Sequence, residues 1–172
     1  MKELDLTVEF VTHCLSAGRK AEDDHDSFDR DSSGDVIFRQ PWYHAAMLKA
    51  IELSGMRGIK PGYFYFDNIV SVATEVYKRK YGRDKYRSHE AIMPGTRLRV
   101  HAMVDDSVTE KQALDLFTCM GRYVGLSPFG YNLGFGKFEV KEMKLTGRKD
   151  DANDGVQPVA DGGSNPDPAP GR

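Results

Sequence analysis

The chain has 172 residues, of which 40% are hydrophobic and 29% charged, and its formal net charge at pH 7 is −2. These values are typical of a single soluble globular domain. No run approaches the ~18 consecutive apolar residues of a membrane span. The first five residues carry two acids and no apolar segment, so we expect no signal peptide.

The two cysteines, Cys14 and Cys119, lie far apart and lack CxxC spacing. That usage favours a reducing compartment, so we predict a cytoplasmic protein without a membrane partner. The chain has no HxH, HExxH or Cys/His spacing typical of zinc, and no GxSxG or P-loop motif. We therefore predict no cofactor.

The first half of the chain predicts a strand and a helix. Leu4–Val11 alternates with period two, as a half-buried strand does, and residues 36–38 could add a short strand. A helix is predicted over Trp42–Ser54, because Pro41 suits its first position and Gly55 its end. Its predicted core-facing residues are Trp42, Tyr43, Ala46, Met47, Ala50, Ile51 and Leu53.

An acidic loop lies between that strand and that helix, with seven acids between residues 22 and 35. Residues 29–36 match the opening of a calcium loop, with oxygen ligands at positions 1, 3 and 5, but Gln40 replaces the bidentate Glu of position 12. We favour a solvated acidic loop over a calcium site. The residues of the incomplete calcium site are Asp29, Asp31, Ser33 and Asp35.

Strands dominate the next part of the chain. Tyr63–Phe66 has strong strand propensity. Ile69–Val76 fits a strand, although residues 73–80 could also form a short helix; we favour a long hairpin arm that turns near Gly82. Thr96–Val104 again alternates with period two. Its predicted inward residues are Leu98, Val100, Ala102 and Val104.

A second helix is predicted over Glu110–Val124, opened by a capping box between Ser107 and Glu110. The strand after residue 137 has one break in its alternation, which suggests a bulge. The predicted apolar face of the helix is Ala113, Leu114, Leu116, Phe117, Met120, Gly121, Tyr123 and Val124.

A glycine loop, Gly125–Gly136, connects that helix to the last strand. Backbone N–H groups in such a loop could hold a phosphate. The alternative, which we favour slightly, is structural: the glycines allow close packing while Phe129, Tyr131 and Phe135 enter the core.

The order strand, helix, strand, strand, helix, strand predicts an α+β ferredoxin-like (βαββαβ) fold. Its antiparallel sheet would carry two helices on one face, with the hairpin arm inserted. We predict a domain over residues 1–147 and a disordered acidic tail over 148–172, because the tail has almost no large apolar residue.

Three segments resemble the RAMP superfamily of CRISPR-associated proteins. They are Thr12–Gly18 after the first strand, the turn Pro94-Gly95-Thr96, and the glycine loop. The resemblance covers about residues 4–146 and implies a stand-alone relative of proteins that bind or cleave guide RNA, with other ribonucleoprotein subunits as possible partners. Members of that superfamily commonly have five residues, at least one of them basic, between the two glycine groups of the loop. In this chain the intervening residues, 127–133, number seven and contain no Lys or Arg.

The arm is basic in an acidic chain. Residues 78–87 hold six Lys and Arg against one acid, a local charge of +5, so the rest sums to −7. Cations interleaved with aromatic rings suit a single-stranded polyanion, so we predict that the protein binds RNA or another single-stranded nucleic acid. The alternative is a hairpin tip kept soluble by its charges. The predicted contact residues are Lys78, Arg79, Lys80, Tyr81, Arg83, Lys85, Tyr86, Arg87, Arg122, Gly134, Gly136 and Lys137.

Two other functions stay open. A metal-independent endoribonuclease needs a base near neutral pH, for which histidine is suited. By the family resemblance His44 is the candidate, with Tyr43 and His13 beside it. A protein-interaction, assembly or inhibitor module is the other, because the acidic loop would repel phosphates and attract a basic partner.

Overall fold

The computed structural model describes residues 1–18 and 25–147, so the predicted tail and residues 19–24 of the acidic loop lie outside the described residues. In chain order the strands are β1 (Lys2–Phe10), β2 (Cys14–Leu15), β3 (Asp29–Arg30), β4 (Val36–Ile37), β5 (Phe64–Phe66), β6 (Ile69–Val70), β7 (Glu75–Gly82), β8 (Lys85–Ile92), β9 (Arg97–Val104) and β10 (Phe138–Gly147). The helices are α1 (Gln40–Ser54), α2 (Glu110–Cys119) and α3 (Gly130–Leu133), with a 3₁₀ turn at Pro61–Tyr63 and a π-helical turn at Met120–Val124.

The central sheet has the strand order β10-β1-β9-β5, and every neighbouring pair is antiparallel. Together with α1 and α2, this is the ferredoxin-like order, and it confirms the predicted fold. Two small sheets, β2-β8-β7 and β3-β4-β6, are inserted around it. The first of them contains the hairpin arm.

The predicted alternation of the two central strands is confirmed. In β1, Leu4, Leu6, Val8 and Phe10 are all buried. Burying such a side chain fully contributes about 1.5–3 kcal/mol. A one-residue shift in register would expose the whole set, so this pattern fixes the pairing of the strand. The matching buried residues of β9 are Leu98, Val100, Ala102 and Val104.

The last strand contains the predicted bulge. Thr7 of β1 pairs with Glu142, whereas the next residue, Val8, pairs with Val140. Lys141 is therefore the extra residue, and the inward positions change from Val140 to Met143 across it.

Helix α1 ends as predicted, with Gly55 in the left-handed conformation at φ 68°. Its buried residues include Tyr43, Ala46 and Met47. The prediction was wrong for Leu53, which is exposed, because it lies in the last turn and lines a surface groove beside Tyr123.

The start of α2 differs from the predicted capping box. Thr109 is the N-cap: its side chain accepts from the Gln112 N–H, and Gln112 Oε1 accepts from the Thr109 N–H. Ser107 instead donates its hydroxyl to Asp105. The sequence offers two overlapping Ser/Thr-x-x-Glu/Gln patterns, and the turn formed by Asp105 and Ser107 leaves only the second available for capping.

The end of this helix widens into the π turn, where the Gly125 N–H donates to the Met120 carbonyl at 2.7 Å. A π turn holds an additional residue, which rotates the following side chains relative to an ideal helix. Tyr123 is accordingly exposed instead of buried, and Leu114, at the edge of the predicted apolar face, is exposed as well.

Candidate functional site

The hairpin arm consists of β7 and β8, joined by a tight turn in which Asp84 has φ 56°. Ile69–Val70 and Glu75–Gly82 are both strands, so the strand prediction is confirmed over the short-helix alternative. Among the described residues, the arm joins the body through a ladder at its root alone, where Ile92 pairs with Cys14 and Ala91 with Leu15. Residues 89–92 are buried, whereas the tip is exposed.

Residues paired across the arm share one of its faces. On the outer face, Lys78 pairs with Ser88, and Lys80 with Tyr86. The ammonium groups of Lys78 and Lys80 lie 4.8 and 5.8 Å from the centre of the Tyr86 ring. The outer face therefore presents two cations around one half-exposed ring.

Arg83 and Lys85 extend this charge to the exposed tip. Within the described residues, no acid forms an ion pair with Lys78, Lys80, Arg83 or Lys85. Coulomb attraction from these four cations is thus available to a polyanion.

The cations of the inner face interact with groups in the body of the protein. Arg87 donates from Nε and Nη2 to the two carboxylate oxygens of Asp26, at 2.7 and 2.6 Å. Asp26 is 2% exposed. Its carboxylate raises the pKa of Arg87 through hydrogen bonding and charge. A bidentate ion pair with one buried member fixes the direction of the arm.

Arg79, opposite Arg87, also packs inward. Its Nε donates to His89 Nε2 at 3.2 Å, and its guanidinium carbon lies 4.7 Å from the centre of the Phe129 ring in the glycine loop. Arg79 and Arg87, two of the predicted contact residues, therefore have partners within the protein.

His89 is completely buried at the root of the arm. Because Arg79 can only donate, His89 Nε2 accepts, and the proton of the neutral ring lies on Nδ1. Nδ1 is 3.0 Å from the Ser16 carbonyl and 3.2 Å from Asp26 Oδ2. Burial lowers the pKa of His89 despite these two acceptors.

A second buried acid holds the other side of the root. Glu90 accepts from the Phe28 N–H at 2.9 Å and from the Thr74 hydroxyl at 2.7 Å, and it pairs with Arg30. Asp26 and Glu90 together attach the acidic loop to the arm.

The glycine loop closes on itself. The Leu126 N–H donates to the Gly136 carbonyl at 2.9 Å, and the Gly136 N–H to the His13 carbonyl at 2.7 Å. Gly136 has φ 71°, and a Cβ there would lie 2.8 Å from the Ser127 Cβ. Thr12 Oγ1 donates to the Gly134 carbonyl at 2.8 Å. These bonds favour the structural interpretation of the loop, with Gly134 and Gly136 engaged in internal contacts.

The prediction that the loop aromatics enter the core was wrong. Phe129 and Phe135 are half-buried, and Tyr131 is exposed. The glycines pack backbone against backbone and leave no room beneath the loop, so the rings turn towards the arm and α1. The ring of Phe129 meets that of His89 edge-on with ring centres 5.1 Å apart, and the ring centres of Phe135 and Tyr77 are 6.0 Å apart.

Two further predicted residues, Arg122 and Lys137, line one groove of about 580 Å³ between α2 and β10. The carbonyl of Lys137 accepts from the N–H groups of Val11 and Thr12, which follow β1. The next residue, His13, stacks on Tyr77 of the arm with ring centres 4.2 Å apart.

The three candidate ribonuclease residues do not come together. His44 Nε2 lies 3.0 Å from the Phe64 carbonyl, at the Lys2 end of β1, whereas His13 follows the Phe10 end. Those ends are about 25 Å apart at 3.3 Å per residue. Tyr43 is 1% exposed in the core, where burial raises the pKa of its hydroxyl.

The incomplete calcium loop forms a turn. Asp31 Oδ1 accepts from the N–H groups of Ser33 and Asp35, both at 2.9 Å, and Asp29 pairs with Arg39. In the part of the chain that the structure describes, no three His, Cys, Asp or Glu side chains converge as metal ligands.

Asp26, Phe129 and Phe135 are the contributors that the sequence analysis missed. Asp26 is one of seven acids in its loop and has no distinguishing local pattern. The loop aromatics were noted, but only three-dimensional contact shows that they meet the arm.

No helix of the described residues is both long and apolar enough to span a membrane.

Comparison with solved structures identifies the fold independently. A chain from the cryo-EM structure of the Type III-B Cmr-beta bound to cognate target RNA matches with a TM-score of 0.57 and 14% identity, over 84% of this chain. The two proteins share a fold. This protein spans 60% of the length of that chain.

Thermofilum pendens Csc2 also matches, with a TM-score of 0.34 and 13% identity, over 84% of this chain and 66% of Csc2. That score is too low to add to the fold assignment. No family model and no curated protein matches the sequence.

Proposed function

We propose that this protein is a RAMP-type, CRISPR-related protein that binds single-stranded nucleic acid, RNA in particular, through the outer face and tip of its hairpin arm. The observation that carries the proposal is the group of four arm cations, Lys78, Lys80, Arg83 and Lys85, without acidic partners among the described residues. The exposed ring of Tyr86 lies among them, where an unpaired base can stack, whereas the exposed ring of Tyr81 has its centre 5.8 Å from the guanidinium carbon of Arg79.

The two faces of the arm have different roles, and this difference supports the proposal. Arg79 and Arg87 attach the arm to Phe129, His89 and Asp26, which keeps the outer cations in a fixed array. A pre-ordered array loses less conformational entropy when the polyanion binds.

A path for the strand leads from the arm to the groove. The half-buried rings of His13, Tyr77 and Phe135 contact one another at the arm, and Phe135 lies two residues before Lys137 of the Arg122–Lys137 groove. We assign His13 to this aromatic cluster, as a stacking surface in place of the catalytic role considered from the sequence.

The structural match supports the class of ligand. The matching Cmr-beta structure is described as bound to cognate target RNA. At 14% identity the likeness concerns the fold, so the ligand of this chain is inferred from its own arm charges.

The test compares charge reversals of equal size. Lys78→Glu/Lys80→Glu removes the outer pair of cations, and Lys60→Glu/Lys111→Glu makes the same charge change on exposed lysines elsewhere. We expect the arm variant to bind a labelled 12-nucleotide single-stranded RNA at least tenfold more weakly, and the control variant to stay within about twofold of wild type. Equal losses in both variants would mean that only net charge matters and would overturn the proposal.

A protein partner is the second candidate. An apolar groove between α1 and the π turn is lined by the exposed side chains of Leu53, Tyr123 and Tyr131, with Met56 and Cys119. Exposed apolar grooves commonly mark protein contacts. A protein that co-purifies with wild type and is released by Tyr123→Glu would establish this second role; unchanged co-purification would exclude this groove.

A further inference from the structure

A further concave surface lies between α1 and the glycine loop. It is a slot of about 250 Å³. Its lining includes small residues, Ala45, Ala46 and Gly125, and two aromatic residues, Trp42 and Tyr131. Small residues beside aromatic side chains leave room for a flat ring.

A single cation stands in the slot. Lys49 Nζ lies 4.5 Å from the centre of the Tyr131 ring and 3.1 Å from Glu52 Oε2. The ammonium has three donors and hydrogen-bonds Glu52 with one of them, so it can also donate to a ligand. A carbonyl oxygen of a nucleobase could accept from it.

The slot is connected to the arm through consecutive residues. Pro128 lines the slot, and the next residue, Phe129, contacts Arg79 and His89 of the arm. Trp42 also packs on Phe28, whose N–H donates to Glu90 at the arm root. The glycine loop therefore contacts the arm root and also lines the slot.

We propose that this slot receives one unpaired nucleobase of the strand that the arm binds, stacked against Trp42 with Tyr131 and Lys49 at its edge. This inference rests on the proposed function. The volume of the slot lies below the roughly 300–1,000 Å³ of sites that enclose a whole small-molecule ligand. One ring of a longer polymer fits that size.

The experiment uses Trp42, the only tryptophan in the chain, as the reporter. The full chain is titrated with a 12-nucleotide single-stranded RNA of mixed sequence and with an abasic oligomer of the same length. The abasic oligomer carries the phosphates but no bases. We expect the RNA to change Trp42 fluorescence on binding and the abasic oligomer to bind without that change.

Two variants test the slot itself. Ala45→Leu fills it from an exposed helical position, where leucine is a good helix former. Lys49→Gln removes the cation, and Lys111→Gln is its matched control, because Lys111 also pairs with an acid of its own helix, Asp115. We expect Ala45→Leu and Lys49→Gln to weaken RNA binding, about fivefold or more for Ala45→Leu, and to leave affinity for the abasic oligomer unchanged. Ala45→Leu should also abolish the fluorescence change, and Lys111→Gln should behave as wild type.

The outcomes separate the two proposals. If Lys78→Glu/Lys80→Glu removes RNA binding but Ala45→Leu alters neither affinity nor fluorescence, the slot proposal is wrong and the arm proposal stands. A fluorescence change with the abasic oligomer would also refute base insertion. If wild type binds no RNA and Ala45→Leu instead prevents co-purification of a protein, the slot receives a partner's aromatic side chain and both proposals fail.

Discussion

Arg87 and Asp26 link the basic arm to the acidic loop through two parallel hydrogen bonds of 2.6 and 2.7 Å. Charges of opposite sign that are separate in the sequence are thus partly joined in the structure. The remaining arm cations stay exposed because they occupy the outer face and the tip. The division of the arm into an attached face and a free face underlies the proposed function.

Asp26→Ala should destabilise the protein, because it leaves Arg87 and His89 without their carboxylate partner. We expect a loss of about 1–3 kcal/mol in the free energy of unfolding, measured by urea denaturation. Asp29→Ala, which removes the partner of Arg39 from an exposed pair, should cost less than about 1 kcal/mol. Equal losses in the two variants would contradict the structural role of Asp26.

His89 should make stability depend on pH. Burial lowers its pKa in the folded state from an ordinary value of 6.5, so the unfolded chain binds a proton more readily. The charged groups facing it are Asp26, Arg79 and Arg87. The contribution of neutral His89 to the free energy of unfolding is fully present above about pH 6.5, and it is lost as the pH drops through the lowered pKa. Urea unfolding of wild type and His89→Gln at several pH values between 5 and 8, as an approximate window, should show a shallower decline in the variant. Identical pH profiles would count against this assignment.

Gly136 and Gly134 offer a matched test of the closed glycine loop. Both have positive φ, but only at Gly136 would a Cβ collide with Ser127; at Gly134 the space is open. Gly134→Ala should cost about 1 kcal/mol from backbone strain alone, and Gly136→Ala clearly more. Thermal unfolding of both variants measures the difference. Similar melting temperatures would mean that the loop is not closed as described.

The start of α2 can be tested by removing one hydroxyl at a time. Thr109→Ala deletes the observed cap and should cost about 1 kcal/mol. Ser107→Ala deletes the residue that the sequence pattern favoured, whose hydroxyl bonds only Asp105 among the described residues, and should cost less. The reverse ranking in urea denaturation would favour the cap predicted from sequence.

Local periodicity was enough to predict the fold because the buried residues of β1 and β9 repeat every second position without interruption. It also located the bulge near Lys141. Periodicity failed at Tyr123, because a π turn changes the number of residues per turn, and no local pattern signals it.

The candidate site was less predictable than the fold. The sequence shows six cations close together, but the face on which each lies depends on the cross-strand pairing of Arg79 with Arg87. The partner of Arg87 is Asp26, 61 residues away, and no motif connects them. Catalytic candidates such as His44 and His13 were grouped by family resemblance, whereas the sheet register separates them.

The salt dependence of RNA binding tests the central claim most directly. For a single strand, the slope of log K against log salt concentration is about −0.7 for each phosphate neutralised. Four arm cations predict a slope of about −3 or steeper for wild type, and Lys78→Gln/Lys80→Gln should reduce its magnitude by about 1.4. Lys60→Gln/Lys111→Gln should leave it unchanged. A wild-type slope near zero, or an equal reduction in both variants, would show that the outer face of the arm does not bind the phosphate backbone.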